Sequence, residues 1–137
     1  MPDYIFVYGT LRRGIESPMA VVFGRYCEYI SDAYMMGRLY QVGAYPGAIE
    51  TDNPAEKIYG EVYRVSNSDL LMPLLDGYEG CSNEEVRPHE YLRKKLCIQC
   101  LTGEELYAWV YLYNHDVSSL SLIASGDYRA YIETDQR

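Results

Sequence analysis

The chain has 137 residues, a formal net charge of −8 and a hydrophobic fraction of 48%, the balance of a single globular domain spanning residues 1–137. So acidic a chain excludes nucleic acid as a partner, because phosphate contacts need clustered Lys and Arg, and no apolar run approaches the ~18 residues of a membrane span. The polar start Met1-Pro2-Asp3 has no signal-peptide character, so a cytoplasmic location is expected.

The first element is the β-favouring run Ile5-Phe6-Val7-Tyr8, cut short by Gly9 and Thr10 and followed by Leu11, Arg12 and Arg13. A glycine there either turns the chain or lets backbone N–H groups approach a ligand. Next, Met19, Val22, Phe23, Tyr26, Cys27 and Ile30 recur at helical spacing. With Ser17 as N-cap and Pro18 at the first helical position, a helix is predicted from about Pro18. "SDAYMMGRLYQV" reads as a strand, "GAYPGAI" as a turn-rich connection and "KIYGEVYRV" as a strand with two different faces. "SNSDLLMPLLDGYEG" predicts a second helix capped by Ser66 or Ser68, ended by Asp76-Gly77, and broken into two turns or kinked at Pro73. "EYLRKKLCIQCL" and "EELYAWVYLYN" then form a hairpin through Thr102-Gly103, and the tail carries an apolar patch, a Gly126-Asp127 turn and a polar end. The order β-α-β-β-α-β-β predicts an α+β fold on a curled sheet or small barrel. Sixteen tyrosines against two phenylalanines predict many half-buried rings on its sheets.

Four cysteines raise the question of a metal. "CIQC" has CxxC spacing, yet residues three apart on a strand face opposite ways, so Cys97 and Cys100 do not converge. His89 and His115 are the only histidines. No metal site is expected, and the thiols are read as reduced and mostly buried. Phosphate-binding glycine loops and a GxSxG nucleophile motif are missing too. Any chemistry is left to carboxylates and backbone dipoles, with no cofactor expected.

Among twenty acidic residues, Glu79 stands out. It follows the apolar "LLMPLL" and lies three residues after Asp76. An apolar wall and a second carboxylate both push a carboxyl pKa upward, toward the range of a base near neutral pH. A solvated glutamate in a turn has the same local sequence, so this reading alone does not choose between them.

"FVYGTLRRG", "GRLYQVGAYPGAI", "YGEVYRV", "LLDGYEG", "YLRKKLCI", "AWVYLY" and "SGDY", in this order over about residues 4 to 128, resemble the gamma-glutamylcyclotransferase-like family. The likeness is greatest to its small bacterial members and the gamma-glutamylamine cyclotransferases. The resemblance implies a small mixed β-barrel flanked by helices, with the active pocket at the barrel mouth. It assigns Tyr8, Gly9, Thr10 and Leu11 to the substrate loop that holds the glutamyl moiety, and Glu79 to the catalytic acid/base. Tyr111 and Tyr113 fall where the family places tyrosines lining the pocket. The implied reaction is release of 5-oxoproline from a small gamma-glutamyl amide, without cofactor. The alternative is a non-catalytic small-molecule binding module on the same fold; a third reading keeps the chemistry and takes a gamma-glutamyl-acylated biosynthetic intermediate as substrate. Neither the compound nor the oligomeric state is legible here.

Overall fold

A computed structural model of the chain describes residues 3–9, 23–43, 45–78 and 91–135. Among these residues, besides a helical stretch at 23–26, seven strands and two helices follow in chain order: β1 (Asp3–Val7), β2 (Cys27–Val42), β3 (Tyr45–Glu50), β4 (Lys57–Val65), α1 (Ser68–Tyr78), β5 (Tyr91–Cys100), β6 (Glu105–Tyr113), β7 (Ser121–Leu122) and α2 (Tyr128–Asp135). Hydrogen bonding runs β2-β4-β1-β6-β5, and β5 pairs back onto β2 at Ala33–Cys100 and Tyr34–Gln99. That last pairing closes a five-stranded barrel. It is mixed, because β1 and β6 run parallel while the other neighbours are antiparallel. The second half of β2 leaves the barrel and carries β3 and β7 as extra strands.

Alternation along the strands sorts side chains into two layers. Phe6, Ile58, Val62, Ile98, Ala108 and Val110 fill the barrel interior. The opposite face of the same strands presents Ile5, Val7, Tyr63, Val65 and Tyr111, and α1 covers it with Leu71, Met72 and Leu75. The α1 spacing of these three residues is what the apolar run "LLMPLL" supplies, at one face of a 3.6-residue period.

Several expectations are corrected. Residues 18–22 lie outside the described residues; 23–26 are helical, but Cys27 already begins β2. Cys27 and Tyr29 pair with Val65 and Tyr63, and the register slips between Tyr29 and Ser31, so Ile30 is the extra residue of a β-bulge and not part of a helical face. Tertiary pairing here overrides the local apolar period. "YPGAIE" is strand β3 and not a connection: Pro46 sits at an edge, where a missing N–H costs no ladder bond. Helix α1 runs unbroken through Pro73 to Tyr78, past Asp76-Gly77. Its cap is Asn67, whose Oδ1 accepts from the Leu70 N–H, in place of the expected serines. The polar end of the chain holds α2, capped by Asp127 Oδ1 accepting from the Ala130 N–H. Just before it, Gly126 has φ +68°, and a Cβ there would fall on the Lys57 carbonyl oxygen. Cys97 is exposed, Cys27 half-buried and Cys100 buried, so the thiols are less uniformly buried than expected. Among the described residues no helix is long and apolar enough to cross a membrane.

Candidate active site

Tyr8 and Gly9 continue directly from β1; Thr10, Leu11 and Glu79 lie outside the described residues. Tyr8 is buried, and its hydroxyl donates to the Tyr111 carbonyl oxygen at 2.6 Å. Tyr111 is buried as well, and its own hydroxyl donates to Asp76 Oδ1 at 2.7 Å. Asp76 stands on α1 three residues before Glu79 in the chain. Tyr8, which follows β1, and Asp76, on α1, are thus joined through one residue of β6.

Arg93 completes this group. It is in register with Tyr111 across the β5–β6 ladder, and its Nε meets Asp76 Oδ1 at 2.9 Å while Nη2 donates to Oδ2 at 3.1 Å. The fork holds both carboxylate oxygens, a geometry that a lysine cannot reproduce. The guanidinium also lies over the Trp109 ring at 4.6 Å from its centroid. The charge of Asp76, read from the sequence as a second carboxylate three residues before Glu79, is matched by Arg93.

Tyr113 belongs to a row of aromatic rings. Ring centroids are 5.9 Å apart for Tyr45 and Tyr91, 5.5 Å for Tyr91 and Tyr113, and 5.7 Å for Tyr113 and His115. The row is pinned to β3, because the Tyr91 hydroxyl donates to the Pro46 carbonyl oxygen at 2.6 Å. Two glycines let β3 come this close. A Cβ on Gly9 would lie 2.9 Å from Pro46 Cγ, and one on Gly47 would lie 2.9 Å from Tyr113 Cβ. The bare face of Gly9 is therefore used against Pro46.

Sequence reasoning missed Arg93, Tyr91 and Pro46 as parts of this region. The available signal was the alternation of β5, which sets Tyr91 and Arg93 on one face opposite Tyr113 and Tyr111. The described thiols are poor nucleophiles: burial pushes Cys27 up to about 12, and Cys97 and Cys100 are also raised, chiefly by desolvation. Among the described residues no three His, Cys, Asp or Glu side chains gather as a metal site. A cleft of ≈ 330 Å³ lined by Arg38, Glu56, Lys57 and residues 122–126 shares no residue with the Tyr8–Tyr111–Asp76 group.

Residues 5–130 match the family described as "Gamma-glutamyl cyclotransferase, AIG2-like". The chain belongs to this family. A gamma-glutamylcyclotransferase family protein, ytfP of Citrobacter rodentium, is 38% identical over 136 residues, covering 96% of this chain and 97% of that one. The crystal structure of YkqA from Bacillus subtilis superposes with TM-score 0.74 at 25% identity, over 99% of this chain and 43% of that longer one. An aig2-like protein from Mus musculus shares the fold, with TM-score 0.71 at 23% identity over 93% of this chain and 88% of that chain. The expected α+β barrel of the gamma-glutamylcyclotransferase type is therefore the fold of this protein.

Proposed function

We propose that the protein is a gamma-glutamyl cyclotransferase that releases 5-oxoproline from a small gamma-glutamyl amide, with Glu79 as general acid/base. The observation that carries this reading is the family match over residues 5–130, which takes in both the Tyr8–Leu11 segment and Glu79. The hydrogen-bonded link from Tyr8 through Tyr111 to Asp76 supports it, because it ties the residue before Gly9 to a residue three positions before Glu79 in the chain.

The chemistry follows from the substrate's own atoms. Glu79 takes a proton from the α-ammonium, freeing a lone pair that attacks the δ-carbonyl carbon and closes a five-membered ring. The carbonyl π electrons move to oxygen, and backbone N–H groups of the Gly9–Leu11 loop stabilise that oxyanion or anchor the α-carboxylate. As the oxyanion collapses, the bond to the departing nitrogen breaks. Two protons leave the α-nitrogen in all, and two reach the released amine as its ammonium; Glu79 carries them one at a time. Holding the glutamyl chain folded for closure is the main contribution of the site, since well-oriented reactants gain up to ~7–11 kcal/mol. Tyr113 and its aromatic neighbours form the wall on which the substrate lies. The reaction as written needs no cofactor.

The test is 5-oxoproline release from a panel of gamma-glutamyl amides, amino acids and acylated intermediates. Wild type turns over at least one of them, and Glu79→Gln lowers turnover by ~10²–10⁴-fold with the fold intact. Binding without release by wild type would favour the binding-module reading. Equal turnover by Glu79→Gln would remove that carboxylate as catalyst.

A further inference from the structure

We propose that Tyr111 is a positioning residue, not a substrate contact, and that with Asp76 and Arg93 it sets the relation between Tyr8, at the end of β1, and helix α1. The inference rests on the cyclotransferase reading above.

Three observations carry it. Tyr111 is only 5% exposed, which leaves little of its ring for a substrate to touch. Its phenol has one proton, and that proton is committed to Asp76 Oδ1 at 2.7 Å. Its carbonyl accepts the Tyr8 hydroxyl at 2.6 Å, and Tyr8 is likewise only 7% exposed. The backbone of Tyr111 thus anchors the start of the loop, while its side chain anchors the helix that leads to Glu79. Asp76 is held from the other side by the two-pronged contact of Arg93, which β5 delivers opposite Tyr111 in the ladder.

Cyclisation is sensitive to such an arrangement. The α-nitrogen and δ-carbonyl must be brought together on the loop while the base stands at the nitrogen. Displacing one segment by about an ångström is enough to cost ~10²-fold in rate. Loss of the Tyr111 hydroxyl leaves the Tyr8 bond in place, because that bond ends on the main chain. It cuts the tie to α1. The expected signature is a fall in kcat with KM little changed, since the glutamyl moiety still binds the loop.

The experiment compares 5-oxoproline release by wild type, Tyr111→Phe, Asp76→Ala, the double variant and the control Tyr107→Phe, whose ring is exposed on β6. Rates are taken well below each unfolding midpoint and divided by the folded fraction, so that lost stability does not imitate lost positioning. Tyr111→Phe lowers kcat by ~10- to 100-fold. Adding it to Asp76→Ala costs nothing more, because both changes cut the same bond. Tyr107→Phe matches wild type. Unchanged kcat in Tyr111→Phe overturns the inference and leaves the enzyme reading standing. A raised KM at constant kcat, or fully additive losses, overturns it in favour of direct substrate contact. If Asp76→Ala does not fold, Tyr111→Phe alone decides. If wild type releases no 5-oxoproline from any compound, the functional reading fails and the inference falls with it.

Discussion

The two faces of the barrel strands solve different problems. Inside, Phe6, Ile58, Val62, Ile98 and Val110 meet with few polar atoms, and the layer is a packing solution. Outside, under α1, the layer is rich in tyrosine and carries carboxylates. On the same face of β4 as Tyr63, Glu61 is fully buried, accepts the Tyr63 hydroxyl at 2.9 Å and lies 3.6 Å from Arg129 of α2. Asp76 receives the Tyr111 hydroxyl and the Arg93 fork. Each carboxylate meets a phenol and a guanidinium, and each such group ties a helix to the barrel. A buried charge is tolerated only when so paired. Tyrosine suits this layer because it supplies apolar area and a hydroxyl together.

The largest effect that tests this division comes from the interior. Ile98→Ala removes a fully buried side chain opposite Leu106, well along β6 from Tyr111. It destabilises the fold by ~2–5 kcal/mol, read from denaturant midpoints. Activity per folded molecule stays near wild type, because the tyrosine layer is untouched. A larger loss of kcat from Ile98→Ala than from Tyr111→Phe would show that the two faces are not separable.

The interior was the more legible face. The alternation of "KIYGEVYRV" alone sets Ile58, Gly60 and Val62 on one face, and β1, β5 and β6 follow the same rule. What the sequence hid was decided by partners far along the chain. Pro46 and Gly47 read as a turn because edge position and the closeness of Tyr113 are not local properties. Cys27 and Ile30 kept a helical period although β4 claims that segment. Of the site, Tyr8, Gly9, Tyr111 and Tyr113 do come to one region, whereas Thr10, Leu11 and Glu79 lie outside the described residues. The Asp76–Arg93 pair was invisible, since nothing in "LLDGYEG" says which cation will meet its aspartate.

A middle-sized effect separates the faces within one strand. Arg93, Lys94 and Lys95 are consecutive on β5, so alternation sends Arg93 and Lys94 opposite ways. Arg93 meets Asp76 under α1, where both side chains are largely covered. Lys94 reaches Glu50 at 2.8 Å with both partners exposed. Arg93→Gln costs ~1.5–3 kcal/mol, as expected for a shielded, charged hydrogen-bonded pair. Lys94→Ala costs under ~1 kcal/mol, and its effect fades further in salt. Urea midpoints at low and high ionic strength check both, and equal costs would erase the distinction.

The smallest effect is nil at neutral pH and appears only in alkali. The described cysteines sample three environments: Cys100 inside the barrel, Cys27 beside the tyrosine layer, Cys97 in solvent. Burial raises the Cys27 thiol from 9.0 to about 12. Below 9.0 the thiol is neutral in both folded and unfolded chains, so pH does not act through it. Above that value the unfolded chain ionises while the folded one resists, and stability falls with rising pH until the folded thiol also titrates near 12. Free phenols ionise at ~10, so the comparison must be between variants. Cys27→Ser removes the thiol and nearly keeps its size. The stability difference between wild type and Cys27→Ser is constant from neutral pH to about 9, then shifts in favour of the variant as pH rises toward about 11. Parallel curves across that window would mean that the thiol is not held in the apolar surroundings beside Val65 and the tyrosine layer.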